Sequence, residues 1–236
     1  MKQCSERSER NNETMKLAIF ASGIGSTAEA IMDMASLVVT NNPNAGIIER
    51  AKKAGVPVEI VTREGKSPEQ FGEELLTVLR KHQIEFISQN GWELLTPANV
   101  IKSYEGKITN NHPAPLDPGY PDFGGKGMKG LAVHQAVLNF ARAINRPFKT
   151  EIDIHLVTEE FDKGELVAIR EVKINPEDSP EILQARLKEV EKQLMKDFWQ
   201  MVGTTGKIEV IKREERVILP GEESILEKVK AEAITG

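Results

Sequence analysis

One cysteine, Cys4, in 236 residues leaves nothing from which to build a disulfide framework or a multi-cysteine metal centre. Four histidines without His-Glu-x-x-His spacing add no zinc signature, so no metal is expected. No apolar run approaches the roughly 20 residues that cross a bilayer, which excludes a membrane-spanning helix. The polar start, Met1 to Thr14, lacks the apolar core of a signal peptide. A net charge of −5 supplies no overall basic field to gather nucleic acid. Internal repeats and low-complexity tracts are missing too. What these absences leave is a cytoplasmic protein as the default expectation, with neither nucleic acid nor membrane expected as partner. Its 39% hydrophobic and 28% charged residues are those of a globular chain long enough for a substantial core.

Residues 1–14 read as a disordered tail, with Met15 opening an ordered domain over 15–212. Lys16–Ala21 holds a short apolar run closed by Ser22-Gly23, the pattern of a buried parallel strand. Helix formers over Thr27–Ala35, a β-branched run at Leu37–Thr40, a helical stretch Ala45–Ala54 and a strand Val58–Val61 follow. Pro68–Lys81 is an amphipathic helix with proline suited to its first turn, and Glu85–Ser88 and Lys107–Thr109 are further strands. Such alternation predicts an α/β, Rossmann-like fold with a mostly parallel central sheet flanked by helices. The pattern then changes. Glu151–Thr158 and Leu166–Ile174 predict a C-terminal β-hairpin turning near Asp162-Lys-Gly164, and Ser179–Gln200 predicts a long helix with Ser179 as N-cap. The charged residues 213–236 lack strong periodicity and are expected to form a peripheral tail.

The first strand ends in Gly23-Ile24-Gly25-Ser26-Thr27, placed where free helix N–H groups favour an anion. With Ala28 the segment also fits a loose Gly-x-Gly-x-x-Ala dinucleotide fingerprint. A dinucleotide site wants an acid near the end of the second strand, where Thr40-Asn41-Asn42 stands instead. The hydroxyls of Ser26 and Thr27 favour a phosphate monoester, while a dinucleotide and a bare tight turn stay open.

Asn110-Asn111-His112-Pro113 follows the fifth strand. Residues two apart in an extended segment point the same way, so Asn110 and His112 can share a pocket. With Asp162 as a distant third group, an amide, an imidazole and a carboxylate are what an acyl-transfer centre needs. The plainer reading is a turn rich in Asn and Pro, with Asp162 a hairpin-turn residue. His155 and His134 read as packed or hydrogen-bonded histidines.

Four segments in order, Ser22-Gly-Ile-Gly-Ser26, Gly91-Trp-Glu-Leu-Leu-Thr-Pro97, Asn110-x-His112-Pro113 and His155-x-Val-Thr-x-Glu-x-Asp162-x-Gly164, resemble the folate-dependent formyltransferases. Within that family the likeness is strongest to the branch acting on glycinamide ribonucleotide in purine biosynthesis. The resemblance implies the formyltransferase fold and Asn110, His112 and Asp162 as the catalytic trio. It implies 10-formyltetrahydrofolate as formyl donor, with Gly91, Trp92, Leu94, Leu95, Thr158, Glu159 and Glu160 lining its pocket. Gly23, Ile24, Gly25, Ser26 and Thr27 would hold the substrate phosphate, and Glu191 would contact the acceptor rather than merely solvate a helix face. A homodimer is compatible with this reading.

Departures from the family pattern bear on the acceptor. The stretch between first helix and second strand is several residues short, and Asp117–Gly130 is a longer, glycine-rich loop. Another amine such as an amino sugar nucleotide, hydrolysis of the formylated folate, and non-catalytic folate or nucleotide binding remain as alternatives. Hydrolysis is disfavoured because no regulatory domain precedes the glycine loop.

Overall fold

Burial along the first strand sets the layers. The computed structural model describes residues 15–235, so the expected tail 1–14 lies outside the described residues. All four residues of β1 (Leu17–Phe20) are buried. The pleat sends alternate side chains to opposite faces. Leu17 and Ile19 accordingly enter one core, and Ala18 and Phe20 the other.

Six more strands complete the sheet: β2 (Ala35–Thr40), β3 (Val58–Ile60), β4 (Phe86–Gln89), β5 (Ile108–His112), β6 (Lys149–Leu156) and β7 (Leu166–Lys173). Their order is β3-β2-β1-β4-β5-β6-β7. Strands β3 to β5 are parallel, and β6 and β7 close the sheet antiparallel. The order reverses between β1 and β4, so a crevice opens beyond their C-terminal ends, where open α/β sheets bind ligands.

One face of the sheet carries α2 (Pro68–Lys81) and α3 (Ala98–Ser103) over the smaller core. The larger core lies under α1 (Ile47–Ala54), α4 (Leu131–Ala143), α5 (Pro180–Thr205) and α6 (Glu223–Thr235). Helix α2 starts as its sequence requires: Ser67 and Gln70 form a reciprocal capping box ahead of Pro68. At α5, Ser179 accepts from the Ile182 N–H at 3.3 Å, as expected of an N-cap.

Several boundaries differ from those predicted. The first helix is a 3₁₀ helix, Ala28–Met34, running straight into β2. A 3₁₀ helix rises about 2.0 Å per residue against 1.5 Å for an α-helix, so this short connection gains reach by winding more tightly. Strand β5 continues to His112 because β6 pairs with it. Helix α5 passes through Gly203 and ends at Gly206, whose φ of 68° suits a left-handed cap. An internal glycine costs only about 1 kcal/mol, which the packing of Trp199 and Val202 outweighs. The six residues of α3 are too few to show a periodicity.

The largest correction concerns residues 213–236. Expected as a peripheral tail, the described part contributes Val217, Ile218, Leu226 and Val229 to the larger core. Helix α6 packs on α4. Arg146 makes a two-pronged pair with Glu222, both contacts 2.7 Å, and also donates to the Val217 carbonyl at 3.0 Å. The apolar positions are sparse among charges, so no stripe was visible in the sequence.

A core role for this segment has a measurable consequence. Leu226→Ala is expected to lower stability to urea unfolding by about 2–5 kcal/mol, as at other buried leucines. A peripheral tail would instead leave stability within about 0.5 kcal/mol of the parent chain.

Candidate functional site

Strand register assembles the site. Antiparallel pairing sets Asn110 of β5 directly opposite His155 of β6. Directly opposed residues put their side chains on one face, about 5 Å apart. The His155 Nδ1–H donates to the Leu156 carbonyl at 2.8 Å, and while the ring is neutral its Nε2 accepts from the Asn110 amide at 3.2 Å. That bond fixes which way the Asn110 amide points and leaves its second N–H free of His155. His155 is the packed, hydrogen-bonded histidine the sequence suggested, and its partner Asn110 places it in the site as well. The signal that could have found it is the antiparallel register with Asn110.

The hairpin between β6 and β7 brings Asp162 back over these strands. Its backbone has φ of 56°, a left-handed conformation that costs a non-glycine residue energy and that Asp tolerates better than most. One carboxylate oxygen lies 3.7 Å from His112 Nδ1, and the other 3.5 Å from His155 Nε2. The Gly125 N–H donates to Asp162 Oδ2 at 2.9 Å. Burial pushes this carboxyl up, but His155, the charge available on His112 and the Gly125 N–H outweigh it and hold it down at about 2. Asp162 is thus a carboxylate near neutral pH.

His112 is under opposing demands. Its Nε2 faces the Phe123 carbonyl at 3.0 Å while Nδ1 faces Asp162, so only the doubly protonated ring donates to both. Burial nevertheless pulls its pKa below the ordinary value, against the attraction of Asp162. A new negative charge beside the ring would tip that balance toward the imidazolium.

A cleft open to solvent lies against this group. Asn110, His155 and Asp162 form part of its wall, and Trp92, Leu94, Leu95, Thr158 and Glu160 another part. Phe161, within the stretch Thr158–Asp162 expected there, lines it too, and so does Gln89, which the sequence did not single out. Gly91 is exposed and outside the lining, its carbonyl accepting from the Ser22 N–H at 3.0 Å. Glu159 and His112 likewise are not part of the cleft surface.

The glycine loop follows β1. Gly25 has φ of +69°, and an added Cβ there would lie 2.3 Å from the Ile47 side chain, so this turn requires glycine. Among the described residues, no acceptor takes up the N–H groups of Gly23, Ile24, Gly25 or Ser26. The Ile24 side chain is 68% exposed. Asn41 and Asn42, where a dinucleotide site wants an acid, instead brace this turn. Ser22 Oγ donates to Asn41 Oδ1 at 2.6 Å, and Asn42 donates to the Ser22 carbonyl at 3.3 Å. Ser22 Oγ also accepts from the Glu93 N–H at 3.0 Å, tying the loop to the segment that borders the cleft.

Asn111 points away from Asn110, towards α5. It donates to Glu191 Oε1 at 2.7 Å and to Asn90 Oδ1 at 3.1 Å. Glu191 is only 9% exposed, which sets aside the reading of a solvated helix-face charge. Burial raises its pKa, while Asn111, Lys188 and Lys192 pull the other way. His134 on α4 is buried as well, and burial together with the charges of His112 and Lys188 takes it down to about 4. Among the described residues, no group of three or more His, Cys, Asp or Glu is placed to hold a metal ion. Nor is any described helix long and apolar enough to cross a membrane.

Residues 15–198 match the sequence model of the family described as formyl transferase. A chloroplastic phosphoribosylglycinamide formyltransferase of Arabidopsis thaliana is 34% identical over 215 residues, covering 86% of this chain and 70% of that protein. The phosphoribosylglycinamide formyltransferase of Bacillus subtilis is 31% identical, covering 75% of this chain and 88% of its own. The crystal structure of glycinamide ribonucleotide transformylase 1 from Geobacillus kaustophilus superposes with a TM-score of 0.68 at 31% identity, covering 80% of this chain and 99% of that one.

Two groups give acid stability two windows. The stability from a neutral His134 is complete above its ordinary 6.5 and is lost as pH falls towards about 4. That from ionised Asp162 is complete above its ordinary 3.8 and is lost as pH falls towards about 2. Urea unfolding measured from pH 7 to 2 should show His134→Leu flattening the upper window and Asp162→Asn the lower. Each effect should be on the order of 2 to 3 kcal/mol. Parental slopes in both variants would contradict this electrostatic picture.

Proposed function

The chain belongs to the formyl transferase family, and on that premise we propose how its residues transfer a formyl group from 10-formyltetrahydrofolate to the primary amine of glycinamide ribonucleotide. The observation that carries the reading is the cleft wall, where Asn110, His155 and Asp162 meet the apolar Trp92, Leu94 and Leu95. Such a surface suits a flat heteroaromatic donor whose reactive group ends at the polar residues. Thr158 and Glu160 border the same pocket.

The acceptor amine attacks the formyl carbon, and the carbonyl oxygen becomes an oxyanion. Asn110, held by His155, offers its second N–H to that oxygen. The new negative charge also favours the imidazolium form of His112 behind the wall, whose charge in turn stabilises the oxyanion through space. Asp162, already ionised, keeps the imidazolium stable and passes the amine proton through solvent to the departing folate nitrogen. The carbon–nitrogen bond to the folate breaks as that nitrogen is protonated, releasing tetrahydrofolate and the formylated amine. The free N–H groups at Gly23–Thr27 suit the acceptor phosphate, and Glu191 suits hydrogen-bond donors on the rest of the acceptor. Cytoplasmic placement and action without nucleic acid belong to the same proposal, and the net charge of −5 favours the second.

Incubation with 10-formyltetrahydrofolate and a panel of phosphorylated amines tests the reading. Folate should be deformylated only when glycinamide ribonucleotide is present; release without any amine would identify a hydrolase and overturn it. Asn110→Ala should lower kcat by about 10²–10³, the usual loss for one oxyanion donor. Folate binding, followed through Trp92 fluorescence, should be almost unchanged in that variant. Loss of binding in step with kcat would mean that Asn110 serves the pocket rather than the oxyanion.

A further inference from the structure

The glycine-rich stretch 117–130 has no part in the chemistry so far, yet two of its peptide groups touch the reacting machinery. The Phe123 carbonyl holds His112 Nε2 at 3.0 Å, and the Gly125 N–H holds Asp162 Oδ2 at 2.9 Å. Between them, Gly124 packs so closely that an added Cβ would lie 2.8 Å from the Asp162 Cβ. The loop contains five glycines, at 119, 124, 125, 127 and 130, so its own backbone preferences impose little order.

Order comes partly from within. The Asp122 carboxylate accepts from the Gly124 N–H at 2.9 Å and from the Asp117 N–H at 3.2 Å. Lys163 faces the same carboxylate at 3.5 Å, and the buried Phe123 ring packs on Phe140 and Phe148. A further anchor comes from the far end of the chain. Lys230 of α6 donates from Nζ to the Asp122 carbonyl at 2.8 Å and to the Gly124 carbonyl at 2.7 Å. These carbonyls bracket Phe123, and the peptide after Gly124 carries the Gly125 N–H. An ammonium is the right group for this place: it has donors only, and its bonds are about twice as strong as neutral ones. Packing of α6 does not require it, because Leu226 and Val229 already bury that helix.

We propose that Lys230 is a positioning residue for formyl transfer: by fixing the Asp122 and Gly124 carbonyls it sets the two peptide groups that hold His112 and Asp162. The proposal rests on the roles given above to those two side chains. Lys230 itself touches neither substrate nor the reacting atoms.

Lys230→Met keeps the aliphatic stem and removes the donors. Its kcat should fall about 10- to 100-fold, the scale of loss from a small misplacement, while KM for both substrates stays within about threefold. The acid limb of kcat/KM should move upward, because Asp162 loses the grip of Gly125 that helps hold it at about 2. Lys230→Arg should recover part of kcat. Lys228→Met, on an exposed lysine that faces Glu232 at 4.0 Å, should change none of these. An NMR titration needs no turnover: the His112 titration should rise in Lys230→Met as the loop opens to water. A folded Lys230→Met with parental kcat and acid limb, or with an unmoved His112 titration, overturns the proposal. A parent enzyme inert towards glycinamide ribonucleotide would instead sink the functional reading, and the NMR titration would still judge Lys230. If Lys230→Met does not fold, Lys230→Gln is judged by the same titration and limb.

Discussion

The pairing of β5 with β6 is the contact on which the rest of the site depends. Parallel strands β3 to β5 deliver their ends to one crevice, but only an antiparallel neighbour can set a second polar side chain squarely against Asn110. Because side chains alternate along a strand, a slip of one residue would replace His155 by Ile154 or Leu156 opposite that amide. The amide would lose its acceptor, and the hairpin carrying Asp162 would be rotated with it. Sheet hydrogen bonds, which carry no chemical specificity, thereby impose a positional tolerance on catalytic groups.

Electrostatically the site is a set of opposed terms rather than a sum of favourable ones. Burial raises Asp162 and lowers His112, while their proximity works in the reverse direction for each. The carboxylate wins its contest and the imidazole loses, which leaves one fixed charge and one ring ready to gain a proton. A ring already charged would have little left to respond with when an oxyanion forms. Glu191, on the opposite side of β5, is handled differently: burial raises it and Asn111 supplies a neutral donor.

Much of the fold was legible because short apolar runs and helix signals were local. Pro68–Lys81 was readable to the residue, since proline and an amphipathic stripe mark that helix without help from elsewhere. The trio Asn110, His112 and Asp162 was legible through the order of four short segments. Their convergence is partial, with His112 behind the cleft wall and bonded to Phe123. His155 was legible as a packed or hydrogen-bonded histidine, but its place beside Asn110 was not visible, because which residue sits opposite is a property of two strands more than 40 residues apart. Glu191 was singled out through the resemblance alone, because helical position does not say what lies above it. Helix α6 escaped because its few apolar residues are spaced for a groove already formed by α4, and a groove cannot be seen in a linear pattern.

The hydrogen bonds from Lys230 to Asp122 and Gly124 span 108 and 106 residues. Contacts that distant form late, because a long loop must close before they return any stability. During synthesis the sheet, the cleft and the reacting side chains all emerge well before α6. The nascent polypeptide therefore passes through a stage in which every named group of the site exists but the loop beneath two of them has no anchor. On the positioning role proposed for Lys230, competence arrives with the closing helix, and a chain interrupted before it would fold most of its architecture without the anchor.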